Sequence, residues 1–327
     1  IAAQLFGDVA EKELDVDLII QSIHDGNTND IAFTVNRSCL ERAEAVAEAI
    51  APTLRQTPTT PNQADVLIER ATAKVSIVGA GMIGRPGVAA RMFSALAHAD
   101  VNIQMISTSE VKVSCAIHLE DCDRAVAALC QTFNIAQSAI PQPSNQSNNQ
   151  PNNQPNDCGS FLQPESSQPE SSLPMLHPPV RGAALDRKQA RVAIRHIPDR
   201  PGMAAQIFML LADHHISVDT IIQSQRCRLV DGNPTRDIAF TVAQHDAPEA
   251  KKLLTDIAPE LGYGDITVDE AIAKVSIVGM GMMGRPGVAA QMFDALAQQN
   301  INIQMIVQNH QYTSTFQNVK NGLYFDI

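Results

Sequence analysis

The sequence predicts an α+β protein: tandem ferredoxin-like βαββαβ modules with antiparallel sheets and helices on one face. Three observations predict it. The chain repeats itself, one complete unit reads strand, helix, strand, strand, helix, strand, and the composition is aliphatic. Residues 73–106 (AKVSIVGAGMIGRPGVAARMFSALAHADVNIQMI) and 273–306 (AKVSIVGMGMMGRPGVAAQMFDALAQQNINIQMI) are identical at 26 of 34 positions. AAQLF at Ala2 answers AAQIF at Ala204, DLIIQS at Asp17 answers DTIIQS at Asp219, and DIAFTV occurs at both Asp30 and Asp237. A repeat of this length makes each copy two successive units. Apolar residues reach 44% but aromatics only 4%, with no Trp, so the cores rest on Ala, Ile, Val, Leu and Met.

The third unit shows the plan in full. Arg191–Ile197 alternates as a strand, and PDRPG follows, with Asp199 placed to cap a helix and Pro201 suited to its first turn. Met203, Ile207, Leu210 and Leu211 fall at helical spacing up to His214. SVDTIIQS (Ser217–Ser224) is the second strand, Asp231-Gly232-Asn233 a hairpin turn, and DIAFTV the third strand. Ala247–Ile257 is the second helix and Asp265–Val268 the last strand. The units then divide as residues 1–70, 71–140, 180–270 and 271–327. Residues 141–179, rich in Asn, Gln, Pro and Ser without periodicity, form a disordered linker between the copies.

Bulk properties exclude several function classes. A formal net charge of −11 with no basic stripe argues against nucleic acid and anionic membrane surfaces. No apolar run spans a bilayer and no signal peptide opens the chain, so a cytoplasmic location is expected. The six cysteines form no C-x-x-C pair and no zinc spacing, and reduced thiols are the expectation. Cys115 and Cys227 read as ordinary strand and loop thiols, and His214 and His215 as a helix end.

The run Gly79-Ala80-Gly81-Met82-Ile83-Gly84 fits G-x-G-x-x-G after a strand, and Gly279, Gly281 and Gly284 repeat it. A dinucleotide site, and with it a nucleotide-dependent oxidoreductase, is the obvious reading. Three features weigh against it. The next strand, VNIQMIST, ends without the acid that a ribose requires. The helix opens at Arg85-Pro86-Gly87, beyond the third glycine, and the sister unit keeps the same plan with HIPDRPG in place of the glycines.

The stretches IRHIPDRPGMAAQIFMLLADHHISVDTIIQS, DIAFTV, AKVSIVGMGMMGRPGVAAQMFDALA and NIQMISTSEVKVSC resemble the C-terminal regulatory region of aspartate kinases, built from paired ACT modules. Two pairs in one chain are similar to the four-module arrangement of cyanobacterial aspartate kinases. The resemblance implies lysine and/or threonine as effectors, bound between paired modules and inhibiting ATP-dependent phosphorylation of aspartate. It implies further that one module is nested in its neighbour. Gly182–Asp186 (GAALD) would be the strand that completes the second module of its pair. Homo-oligomers through ACT pairing and a kinase domain as partner are also implied. No kinase opening of the Lys-Phe-Gly-Gly-Thr-Ser type occurs in these residues. No cofactor is therefore expected here, since ATP and magnesium would belong to the kinase domain, and the chain alone is expected to be inactive.

The candidate effector residues lie at the loop between first strand and first helix and on the facing strand. In the third unit, the N–H groups of Met203 and Ala204 at a helix N-terminus suit a carboxylate, with Gly202 allowing close approach. Asp199 either pairs with an effector ammonium or caps the helix, and Asp219 and Gln223 stand on the facing strand. Asp17 and Gln21 are their counterparts in the first unit. Met82, Asn102 and Gln104 match Met282, Asn302 and Gln304 in the glycine-rich units, where Asn and Gln alternating with Ile also fit a solvent face. Arg85 and Arg285 fit surface charges equally well.

Both ends depart from the plan. Ile1 falls inside a predicted helix, as in a fragment, so the first unit lacks its opening strand and loop. The fourth unit follows QMI with VQNHQYTSTFQNVKNGLYFDI, where its counterpart continues as strand and helix. The expectation is a fourth unit without its third strand, second helix and last strand, cut short or frameshifted. A free-standing amino-acid-binding regulatory subunit and a non-functional remnant remain the alternatives.

Overall fold

The computed structural model describes residues 1–23, 29–54, 66–79, 82, 85–109, 111–135, 180–223, 226–279, 287–309 and 312–318. The linker, Met282, Arg285 and most of both glycine loops lie outside the described residues. The first unit contains α1 (Ala2–Glu11), β1 (Val16–Ile23), β2 (Asn29–Val35) and α2 (Leu40–Leu54). The second contains β3 (Thr72–Val78), α3 (Val88–His98), β4 (Met105–Ser109), β5 (Lys112–His118) and α4 (Cys122–Phe133). After β6 (Gly182–Asp186), the third runs β7 (Gln189–Pro198), α5 (Met203–Asp213), β8 (Val218–Gln223), β9 (Arg228–Val230), β10 (Asn233–Ala243), α6 (Ala247–Leu261) and β11 (Ile266–Asp269). The fourth has β12 (Ile272–Val278), α7 (Val288–Gln298), β13 (Ile303–Asn309) and β14 (Tyr312–Asn318).

Within the third unit the strands lie in the order β11-β7-β10-β8, the antiparallel ferredoxin-like arrangement predicted from its periodicity. The units then pair in a way the repeat did not suggest. One sheet runs β11-β7-β10-β8-β4-β5-β3, so the third unit continues edge to edge into the second. The other runs β2-β1-β13-β14-β12-β6 and joins the first unit to the fourth. The joints are alike: Ile106 faces Gln223 across β4 and β8, and Ile306 faces Gln21 across β13 and β1. The resemblance implied pairing of successive units, whereas each pair here takes one unit from each copy.

β6 takes the place the resemblance implied, in the second module of its own copy. GAALD pairs antiparallel with β12, Leu185 opposite Val275, and forms the outer strand of the fourth unit. The tail corrects another expectation: β14 fills the slot between β12 and β13, pairing with both. Tyr-Thr-Ser-Thr-Phe is rich in β-branched and aromatic residues, so it forms a third strand although its wording differs from that of β5.

Packing follows the pairing. α5 buries Met203, Ala204, Ala205, Ile207, Phe208 and Leu211 along one stripe, and His215 at φ 58° ends it. This stripe meets α3, where the Phe93 and Phe208 rings lie 5.6 Å apart. α1 and α7 repeat the contact through Phe6 and Phe293 at 5.5 Å. The helices cover the outer face of each sheet, and the inner faces meet through Leu18, Ile20, Met105, Ile222, Met305 and Val307. The layers run helix, sheet, sheet, helix. Each fully buried aliphatic side chain in these cores contributes about 1.5–3 kcal/mol.

Cys115, Cys122, Cys130 and Cys227 are free thiols, and burial pushes the Cys115 thiol up, which makes it unreactive. Cys39 is disulfide-bonded and departs from the reduced state expected of it. Among the described residues no helix is long and apolar enough to cross a membrane.

Candidate ligand sites between paired modules

Edge-to-edge pairing of the second and third units generates two clefts related by a local two-fold axis between β4 and β8. In each, the N-terminus of one unit's first helix faces the partner unit's second strand. The helix N-caps are Gly202 for α5 and Gly87 for α3, at φ 95° and 89°, and neither end carries a side-chain cap. Left-handed backbone favours glycine at both. Arg91 and Gln206 are the first residues whose N–H groups return to the Gly87 and Gly202 carbonyls, so three amides at each end have no intrahelical acceptor.

The first cleft gathers six of the candidate residues. Asp199, Gly202, Met203, Ala204 and Gln223 of the third unit meet Asn102 of the second. It is shut, with about 20 Å³ of free space, room for about one water. Its own side chains close it. Arg236 Nε lies 2.8 Å from Asp199 Oδ2, and Asn102 Nδ2 donates to Asp199 Oδ1 at 2.9 Å. Arg236 Nη1 donates to the Gln104 carbonyl at 3.0 Å, which carries the network across the joint. Gln223 Nε2 donates to the Ile103 carbonyl at 2.7 Å. Asp199 is thus an ion-pair partner, and Gly202 takes the cap position expected of it. The Gln104 side chain turns away, its Nε2 3.0 Å from His118 Nε2.

The second cleft is open, at about 240 Å³. Met82, Arg85 and the α3 N-terminus (Val88, Ala89, Ala90) line one side; Thr108, Ser109, Ser217 and Asp219 line the other. Arg85 and Asp219 are its only charged lining residues among those described. Thr108 replaces Gln223 here: its Oγ1 accepts the Ile221 N–H at 2.7 Å across the joint.

In the pair formed by the first and fourth units, Gln21 Nε2 donates to the Ile303 carbonyl at 2.9 Å, the counterpart of the Gln223 bond. Asp17 is held by Lys74. Asn302 is exposed, and the half-buried Gln304 has an Oε1 with no hydrogen-bond partner among the described residues. Met282 lies outside the described residues.

Arg236 and Thr108 escaped the sequence reading. Arg236 precedes DIAFTV in the third unit, where the first unit has Asn29, so a cation present in one copy alone was the available signal.

ACT-domain models match residues 75–133, 275–316 and 192–259, together just over half the chain. The chain belongs to the ACT-domain family. Its relatives are aspartate kinases. It is 42% identical over 132 residues to the aspartate kinase of Pseudomonas fluorescens and 44% over 129 residues to the aspartokinase of Helicobacter pylori. Those matches cover 40% and 39% of this chain and 31% and 30% of the relatives. The structure of aspartate kinase from Synechocystis covers 98% of this chain at 50% identity with a TM-score of 0.84, and the match spans 50% of that protein. The chain therefore spans half or less of the length of these three relatives.

Proposed function

We propose that this chain is the effector-sensing region of an aspartate kinase, which binds lysine or threonine between paired modules for feedback inhibition of aspartate phosphorylation. The open cleft carries the reading. A free amino acid has a carboxylate and an ammonium a short distance apart, and the cleft offers unpaired helix N–H groups at one wall and Asp219 at the other. The α3 dipole and Arg85 favour the carboxylate, and Asp219 the ammonium. Thr108, Ser109 and Ser217 remain for a polar side chain. The likeness to aspartate kinases supports the same reading.

In the intact enzyme, an effector shifts the kinase only by binding one arrangement of the modules more tightly than another. ATP and magnesium belong to the kinase domain in this scheme, and module pairing between chains provides the oligomer. Isothermal titration of the chain with lysine and with threonine tests the claim. Saturable heat, with a matching rise in Tm, is expected for one of them; no heat and no shift at millimolar ligand sinks it.

A further inference from the structure

Two ion pairs bridge the two sheets near their inner faces. Lys274 Nζ, from β12 in the six-stranded sheet, donates to Asp219 Oδ2 of β8 in the eight-stranded sheet at 2.6 Å. Lys74 of β3 and Asp17 of β1 make the related contact in the opposite sense. Asp219 also lines the open cleft of its own pair. One carboxylate thus serves a ligand cleft in one half of the molecule and a lysine from the other half.

Chemistry sets these two uses against each other. Asp219 is the only acidic lining residue among those described in the cleft, so it is the carboxylate this lining offers a ligand ammonium. Lys274 is only 13% exposed and Asp219 25%, so water screens the existing pair incompletely. Two ammonium groups on one carboxylate repel each other. The shut cleft has no such link, because Asp199 is neutralised by Arg236 from the same unit.

We propose that Asp219 is a shared acceptor through which a ligand ammonium in the open cleft displaces Lys274 and loosens the contact between the two sheets. This rests on the amino-acid-binding reading above and adds the route by which occupancy of one module pair reaches the other. Coupling of this kind is reciprocal: if the ligand weakens the Lys274 contact, loss of that contact strengthens the ligand by the same factor.

The test uses the full chain, with lysine and threonine as probes. Calorimetric titration of wild type, Lys274→Met and Lys274→Arg is expected to show about five- to tenfold tighter binding to K274M, with K274R restored to the wild-type value. Acetylation of lysines followed by mass spectrometry supplies a second readout. Saturating ligand is expected to raise the labelling rate of Lys274 several-fold and leave Lys74 unchanged. Wild-type binding with K274M affinity unchanged overturns the proposal. If K274M does not fold, the wild-type labelling decides, and an unchanged Lys274 rate overturns it. Absence of binding to every protein removes the amino-acid-sensing reading, and this coupling falls with it.

Discussion

The two clefts of the central pair share one geometry and differ in the side chains that span them. Both have a glycine-capped helix end facing the partner's strand, and both have a polar residue, Gln223 or Thr108, bonding across the joint. In the shut cleft Asp199 and Arg236 span the gap. Aligned by sequence, the second unit has Gly84 where the third has Asp199, and Val111 where the third has Arg236. The backbone of the pair is thus alike on both sides, and the side chains decide which cleft is open. Of the two clefts, one is filled from within by its own side chains.

Breaking the internal ion pair should have the largest effect. Arg236→Ala leaves Asp199, 12% exposed, without its cation, and is expected to cost about 3–5 kcal/mol in urea unfolding. The double change Asp199→Gly with Arg236→Val copies the open cleft instead. It should recover part of that loss and raise the calorimetric stoichiometry of the central pair from one ligand to two. A stoichiometry still at one would mean that the backbone, too, distinguishes the clefts. Gly87→Ala sharpens the comparison from the other side. At φ 89°, and with a new Cβ 3.4 Å from the Ala212 Cβ, it should cost about 1–2 kcal/mol and weaken ligand binding in the open cleft. The smallest effect concerns the sheet-to-sheet contact beside Asp17. Burial, then Lys112, pulls the Lys74 ammonium down to about 8 against an opposing pull from Asp15. The unfolded chain therefore binds more protons than the folded one between that value and 10.5, so stability should rise with pH across this window. Lys74→Met should flatten that slope in thermal melts taken from pH 7.5 to 10.

Much of the module plan was legible because period-2 and helical patterns change at clear punctuation, as at Pro198–Gly202 and Asp231–Asn233. That Asp199 and Gln223 of one unit share a cleft followed from two readable features, a helix start and an alternating strand, whereas the arrival of Asn102 from another unit depends on partner choice. Partner choice was not legible. DLIIQS and DTIIQS are close to interchangeable, as are both NIQMI strands, so local wording could not say which copy supplies the neighbour. Long-range registry settles that through the inner-face contacts of Leu18, Ile20, Met105 and Met305. β14 was missed for the opposite reason, since its residues differ from those of β5 while the slot they fill is the same. Arg236 was overlooked because a single cation before a strand carries no pattern until its acid is brought beside it.

The exchange of partners between copies has a consequence for how such a chain behaves on dilution. Each sheet joins a unit from the first half of the polypeptide to one from the second, and β6 threads from one sheet's sequence neighbourhood into the other sheet. A half-length chain with a single copy would have to find a second molecule to satisfy those strand edges, and its assembly would follow the law of mass action. Here the same union is intramolecular, with an effective concentration set by tether length rather than by expression level. The duplicated chain is, in that sense, a dimer that cannot come apart.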